Sequence, residues 1–205
     1  MAKKNEVSSQ ALVMAREDID RIYHLGLCLV SRTLFLGSNG GNDDGEINEA
    51  MSERIIKGVH VLDMIEAPDP TIRVIINSLG GSAVEAAGIY DTLRSSRCPI
   101  ITHGVGKTYS AAAVLMQAGD YRVMSPHCYL MMHYGSIDMS GQATDAPEWL
   151  SNCQQYDRWQ ERIWLKCIKK KKKAFKLKDV QAMLKKDTIL SAKECLNLGL
   201  IDRIL

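Results

Sequence analysis

Several signatures that would assign a protein class at once are missing from this sequence of 205 residues. No two cysteines form a C-x-x-C pair, and this absence disfavours a zinc site. Cysteines scattered through a chain of this size are usually buried, unreactive thiols of a reducing compartment. The six positions are Cys28, Cys98, Cys128, Cys153, Cys167 and Cys195.

Segments that would direct the chain to a membrane are missing as well. The polar N-terminus is not followed by the apolar segment of a signal peptide, and no apolar run is long enough to span a bilayer. The net charge of +2 is too small to indicate a nucleic-acid partner by itself. We therefore expect a soluble, cytoplasmic protein that binds neither nucleic acid nor membranes.

The composition fits one globular domain. Hydrophobic residues make up 46% of the sequence and charged residues 24%, which are ordinary values for a folded soluble protein. The length supports one sizeable core but not two comfortable ones. We predict a flexible N-terminal segment over residues 1–20 and a single domain over residues 21–205.

Strand-like and helix-like segments alternate along this domain. Apolar residues at helical spacing predict helices, and short runs such as Arg73-Val-Ile-Ile76 are typical of buried parallel strands. The predicted helices are 46–66, a segment from Gly81 to about Arg94, 110–117, 147–168, 180–184 and 192–198, and the predicted strands are 33–37, 73–76, 99–105, 122–124, 128–132 and 200–205. This alternation predicts an α/β fold with a mainly parallel sheet.

Two predicted turns expose backbone N–H groups. Gly80-Gly81 lies between a buried strand and a helix, where it can direct amides at an anion, although a plain tight turn is the commoner outcome. Ser110 lies at a strand-to-helix turn and is followed by three alanines, which suits a nucleophile elbow, but the G-x-S-x-G pattern is absent. The alternative for Ser110 is a helix N-cap.

A histidine and an aspartate are further candidates. His133 ends an apolar strand, where a structural or surface role is more common than that of a base. Asp187 could equally cap the next helix, and composition does not prefer it over Asp179 or Asp202. The run Lys169–Lys173 is expected to be a solvated helix end, because no interleaved aromatic residues support nucleic-acid binding.

In their order along the chain, these segments resemble the family of the Clp protease proteolytic subunit, ClpP, of which the chain would be a divergent member. Four segments over residues 32–205 carry the resemblance, at near-family spacing. They are Ile75-Ile-Asn-Ser-Leu-Gly-Gly81 with Gly88-Ile-Tyr-Asp-Thr92, the serine segment from Gly106 to Gly119, Met131-Met-His133 continuing to Gly141-Gln-Ala-Thr-Asp145, and Asp187-Thr-Ile-Leu-Ser-Ala192 with Gly199-Leu-Ile-Asp202.

The resemblance implies a serine endopeptidase with Ser110 as nucleophile, His133 as general base and Asp187 as the residue that orients the imidazole. It also implies an oxyanion hole built from the backbone N–H groups of Gly81 and Ala111. No cofactor or metal is implied in this subunit.

The resemblance further implies a crotonase-like fold with a long protruding handle helix. Subunits of the family form heptameric rings that stack as a tetradecamer, with the active sites facing an inner chamber. The expected partners are further copies of the chain, unfolded polypeptide substrates and an AAA+ unfoldase, which alone would use ATP. Such an assembly would serve protein quality control, and the lysine run would make its formation salt-dependent if it lay at the ring–ring contact.

The sequence departs from the family pattern at several positions. Leu79 replaces a proline before the glycine pair, Ala111-Ala112 replaces Met-Gly, and Tyr134-Gly135 replaces Gln-Pro after the histidine. Three other readings therefore stay open: a catalytically silent ring subunit, a phage-type peptidase that matures capsid or scaffold proteins without an unfoldase, and a crotonase-type enzyme acting on acyl-CoA. The last would be expected to carry acidic residues where Ser110 and His133 stand.

Overall fold

The computed structural model of the chain describes residues 19–38, 45–135 and 146–205. The predicted flexible segment over residues 1–20 lies outside this part except for its last two residues. Residues 141–145, where the resemblance places the start of the handle helix, also lie outside it.

The described residues form strands and helices that alternate along the chain. The strands are β1 (Leu27–Cys28), β2 (Thr33–Gly37), β3 (Ile72–Ser78), β4 (Ile100–Tyr109), β5 (Tyr121–Met124), β6 (Tyr129–Met132), β7 (Thr188–Ser191) and β8 (Arg203–Ile204). The helices are α1 (described over 19–25), α2 (Glu49–Met64), α3 (Ala83–Ser95), α4 (Ala111–Met116), α5 (Ala146–Lys169), α6 (Leu177–Leu184) and α7 (Ala192–Leu198).

The strands form one mainly parallel sheet in the order β1-β2-β3-β4-β5-β8. Besides β3, strand β4 pairs with two further strands: Ile101 to Gly104 pair with β5, and Lys107 to Tyr109 pair in parallel with β6. Strand β7 then pairs with β6 in the antiparallel direction. The far end of β4 and the β6–β7 pair thus lie at one edge, where the candidate residues converge.

Helices α2 and α4 pack onto this sheet and bury its apolar side chains, whereas α3 packs against α2 and α4, and α5 packs against α4 and α6. The apolar residues predicted at intervals of three and four for α2 are buried at Met51, Ile55, Val59 and Leu62, whereas Ile65, just after the helix, is 42% exposed. Every residue of the short helix α4 is buried, because its alanines let it pass close beneath the sheet. Within the described residues, no helix has the length and apolar character needed to cross a bilayer.

Several predicted boundaries were wrong, and two of them, together with one missed strand, bear on the candidate site. Helix α2 begins at Glu49 and not at Glu46, because Ile47 forms a β-bridge with Gly81 and Asn48 is the N-cap. Strand β4 continues beyond Val105 through to Tyr109. Strand β7 was not predicted at all, and it separates Asp187 from the helix that Asp187 was thought to cap.

Candidate active site

Ser110 lies at the junction between strand β4 and helix α4. Its backbone has φ 54° and ψ −124°, a strained conformation for a residue with a side chain, and its N–H donates to the Met131 carbonyl at 2.8 Å. Although Ser110 occupies the N-cap position, its side chain makes no capping hydrogen bond. The hydroxyl lies instead beside His133, so Ser110 is the N-cap residue by position, as the alternative predicted, but its side chain does not cap the helix.

The glycine pair Gly80-Gly81 packs directly against this turn. Gly80 and Gly81 have φ values of 104° and 147°, which glycine adopts far more readily than other residues. A Cβ at Gly80 would lie 2.7 Å from the Cβ of Ser110 and 2.9 Å from the Tyr109 carbonyl oxygen. The serine turn therefore requires glycine at position 80.

The pairing of β6 with β7 brings His133 and Asp187 together. In this antiparallel register Met132 lies opposite Thr188, so one further step places His133 opposite Asp187. On the other side of β6, Met131 pairs with Tyr109, the residue before Ser110. Three segments distant in sequence thus present their side chains at one point.

The three side chains form a continuous series. His133 Nε2 lies 2.7 Å from Ser110 Oγ, and His133 Nδ1 lies 3.1 Å from Asp187 Oδ1. The His133 side chain is 25% exposed and that of Asp187 is 69% exposed, so the carboxylate side of the series is open to solvent. This arrangement allows the imidazole to take a proton from the hydroxyl while the carboxylate fixes its tautomer.

Two backbone N–H groups lie beside the hydroxyl. Neither Gly81 nor Ala111 donates a backbone hydrogen bond to another residue in the described part of the chain. Ala111 is the first residue of α4, where helical N–H groups lack a partner in the preceding turn. Both groups are available for an oxygen that develops negative charge at this site.

A pocket of about 320 Å³ opens at the serine and histidine. Gly81 and Ala111 line it, and Tyr156 and Gln160 of α5 close its far side. Tyr156 is one of the apolar positions at helical spacing in the predicted helix 147–168, with Trp149, Cys153, Ile163 and Cys167, and neither Tyr156 nor Gln160 was predicted as a site residue. A signal was present, because Gln160 is a polar residue at a position that this spacing assigns to the core.

Other candidates lie away from this point. His103 lies in β4 with its Nε2 3.0 Å from Ser125 Oγ, and burial lowers its pKa. Asp202 pairs with Arg122 at 2.8 Å, and Asp179 accepts a hydrogen bond from the Lys176 N–H at 2.8 Å at the start of α6. All six cysteines are free, and burial raises the pKa of Cys195 to about 12. In the described part of the chain, no group of three His, Cys, Asp or Glu residues could hold a metal ion.

Comparison with known proteins assigns the chain to a family. The family described as Clp protease matches residues 28–205, which include all the candidate residues above. The chain belongs to the Clp protease family. It therefore has the ClpP fold, and it is a divergent member of this peptidase family.

Curated relatives agree with the family. The chain is similar to ATP-dependent Clp protease proteolytic subunit 2 of Leifsonia xyli subsp. xyli, with 33% identity over 85% of the chain and 74% of the relative. It is 36% identical to proteolytic subunit 1 of Corynebacterium jeikeium over 57% of the chain and 59% of the relative. Proteolytic subunit 2 of Corynebacterium glutamicum is 36% identical over 57% of the chain and 55% of the relative. The last two matches thus span less than two thirds of the relatives' length.

Proposed function

We propose that the chain is a serine endopeptidase subunit in which Ser110 is the nucleophile. The observation that carries the proposal is the 2.7 Å distance between His133 Nε2 and Ser110 Oγ, with Asp187 on the opposite ring nitrogen. A hydroxyl is a weak nucleophile at neutral pH and needs an adjacent base, which is the role that this distance suits. The resemblance of the chain to Clp proteolytic subunits points to the same chemistry.

In the first half of the reaction, Ser110 Oγ attacks the carbonyl carbon of a peptide bond. His133 takes the hydroxyl proton, Asp187 stabilises the resulting imidazolium, and the carbonyl oxygen becomes an oxyanion. His133 then gives the proton to the leaving amine. The C–N bond breaks, the first product departs, and an acyl-enzyme ester on Ser110 remains.

The N–H groups of Gly81 and Ala111 are proposed to hold the oxyanion. Each preorganised donor of this kind contributes about 3 kcal/mol to transition-state stabilisation. Backbone donors make the hole tolerant of the departure at Ala111, since the family's methionine and this alanine supply the same N–H. In the second half, His133 activates a water molecule that hydrolyses the ester and regenerates the serine.

The substrates that we propose are unfolded polypeptides. The relatives' names describe them as ATP-dependent proteolytic subunits, and the family fold is associated with rings that enclose a chamber. We propose that this chain also forms such rings in the cytoplasm, stacked in pairs, and receives substrate from an AAA+ unfoldase. The subunit itself needs no cofactor, and ATP is used by the unfoldase alone.

The first test is labelling with a fluorescent fluorophosphonate, which reacts with activated serines. We expect the native wild type to label, and we expect Ser110→Ala and heat-denatured protein not to label. Failure of the assembled wild type to label would contradict the proposal and favour a catalytically silent ring subunit. Hydrolysis of short peptides without ATP, compared with hydrolysis of a folded protein, then tests whether unfolding is needed before cleavage.

A further inference from the structure

Two acidic residues of helix α5 bind the two residues that follow His133. The Tyr134 hydroxyl donates to Glu161 Oε1 at 2.5 Å, and the backbone N–H of Gly135 donates to the Asp157 carboxylate. Asp157 and Glu161 are one helical turn apart, so they lie on the same face of α5. The long helix therefore contacts the polypeptide directly beyond the histidine at two consecutive residues.

The Glu161 carboxylate is enclosed and has two donors. Glu161 is 8% exposed, and its Oε1 also accepts from Gln181 Nε2 of helix α6 at 3.1 Å. Burial, together with the hydrogen bond and charge of Glu161, raises the pKa of Tyr134, which keeps the phenol protonated as a donor. A hydrogen bond to a buried charged group is stronger than one between neutral groups. This contact is thus suited to holding Tyr134 in one orientation.

Further hydrogen bonds fix Tyr134 and α5 on either side. The Tyr134 N–H donates to the Leu184 carbonyl at 2.8 Å, which ties the backbone to the end of α6. On α5, Gln160 Nε2 donates to Asp157 at 3.0 Å, and the buried Trp164 indole donates to Gln160 at 3.3 Å. The Asp157 carboxylate, which contacts Gly135, is therefore anchored to a buried residue of α5, and the Tyr134 backbone is anchored to α6.

The opposite side of the histidine is held less firmly. Asp187 is 69% exposed, and ion pairs or hydrogen bonds at such a site are weakened by water and by salt. An imidazole that must stay 2.7 Å from a hydroxyl needs support from its own backbone. That backbone continues directly into Tyr134.

We propose that Tyr134 and Glu161 are positioning residues that hold His133 against Ser110. The family has Gln-Pro directly after the histidine, where this chain has Tyr134-Gly135. In this chain the contact of Tyr134 with Glu161 would take over the role of those two residues. Neither side chain reaches the reacting atoms, so both act through the placement of the imidazole. The inference rests on the proposed function, because it concerns the activation of the same serine.

The test compares Tyr134→Phe with wild type in fluorophosphonate labelling and in peptide hydrolysis. Removal of the hydroxyl leaves the ring in place but frees it from Glu161. We expect the labelling rate and kcat to fall about tenfold, with KM unchanged, because a small displacement of a catalytic group has large kinetic effects. Tyr129→Phe, which removes the hydroxyl of an exposed tyrosine in strand β6, the strand that precedes Tyr134, is the matched control and should label like wild type.

Substitution of Glu161 separates positioning from general stability. Glu161→Gln retains an acceptor oxygen for Tyr134 and should recover most of the labelling rate. Glu161→Leu should resemble Tyr134→Phe, and the double variant should lose no more than either single variant, since both remove one interaction. Sedimentation of each variant ensures that rates are compared between assemblies of the same size.

The outcomes distinguish the two proposals. A wild type that never labels overturns both. If wild type labels, and if Tyr134→Phe and Glu161→Leu label at the wild-type rate, the positioning role is overturned and the serine peptidase proposal stands. The positioning role would also be overturned by additive losses of labelling rate in the double variant, or by a loss of labelling rate in Glu161→Gln as large as that in Glu161→Leu. If Tyr134→Phe fails to fold, the comparison of Glu161→Gln with Glu161→Leu still decides.

Discussion

At the scale of single residues, the site depends on the close contact between Gly80 and Ser110. The glycine has no side chain, and the serine turn occupies the space where a Cβ would lie. The same hypothetical Cβ would be 3.1 Å from the N–H nitrogen of Ala111. Position 80 therefore constrains both the proposed nucleophile and one of the proposed oxyanion donors.

We predict that Gly80→Ala lowers peptidase activity and fluorophosphonate labelling at least tenfold. The added methyl group must displace the serine turn, and φ of 104° is strained for alanine by about 1–3 kcal/mol. Labelling rates and thermal unfolding measure the two effects. Gly88→Ala is the control, because Gly88 lies within α3 and its added Cβ would meet only ordinary contacts at 3.8 Å or more. Equal labelling of Gly80→Ala and wild type would contradict this account.

The residues of the site differ in how far the sequence could predict them. Ser110 was identified as a candidate because a strand, a serine and three alanines follow one another in sequence. Asp187 could not be separated from Asp179 or Asp202 by composition, since only the register of β6 with β7 brings it to His133. Tyr134 and Glu161 are 27 residues apart and carry no local signal of their contact.

At the scale of elements, a buried arginine joins strand β5 to the segment that enters β8. Arg122 is 3% exposed and binds both carboxylate oxygens of Asp202, at 3.0 Å and 2.8 Å, while its remaining nitrogen donates to Gln117 at 2.8 Å. Although burial by itself would raise the pKa of Asp202, the hydrogen bonds and charge of Arg122 lower it. This edge of the sheet is thus held by a paired charge.

We predict that Asp202→Asn lowers the free energy of unfolding by about 2 kcal/mol at neutral pH, because it leaves the buried Arg122 charge unpaired. Since the pKa of Asp202 is lowered from 3.8, its contribution is present above that value and is lost as the pH falls through the folded-state pKa. Urea unfolding of wild type and variant should therefore converge in acid. Asp120→Asn, at a half-exposed pair with Arg94, should have a smaller effect. A difference that persists unchanged in acid would refute this assignment.

The elements that sequence patterns missed depend on contacts distant in sequence. Helices α2 and α5 were predicted because their apolar spacing extends over several turns. Strand β7 has four residues and exists because it pairs with β6, which no local pattern reports. The continuation of β4 passes through Gly106, whose φ is 68°, and Lys107, which are not typical of a strand, but the pairing of Lys107 to Tyr109 with β6 continues the strand.

At the scale of the whole molecule, α5 has two halves of different character. Its first residues, 147–152, are exposed, with Trp149 at 58% and Leu150 at 48%, whereas Ile163, Trp164 and Ile168 are buried. Large apolar side chains grouped on an exposed helix are typical of an interaction surface. The lysine run begins about 30 Å further along the helix axis, and Lys171 donates to the Leu196 carbonyl at 2.7 Å.

If the chain forms the stacked rings proposed above, we predict that the double variant Trp149→Ser/Leu150→Ser dissociates them into smaller species, because it removes apolar surface from the exposed half of α5. Sedimentation velocity measures the change, and the double variant Lys172→Ser/Lys173→Ser is the control. Because the lysine run lies at the other end of the helix, we expect assembly to be the same at low and high salt. Salt-dependent assembly that is lost in the lysine variant would support the earlier hypothesis that the run lies at the ring contact.

The positive φ of Ser110 implies that this protein is less stable than it would be with an unstrained residue at position 110. Strain of this kind costs about 1–3 kcal/mol, whereas glycine adopts the same φ without it. Ser110→Gly and Ser110→Ala both lose the hydroxyl, so the difference between their melting temperatures isolates the strain. We expect the glycine variant to melt at the higher temperature. The strained turn that presents the serine would then lower the melting temperature of the active protein. A descendant that had lost activity could replace Ser110 and regain this stability.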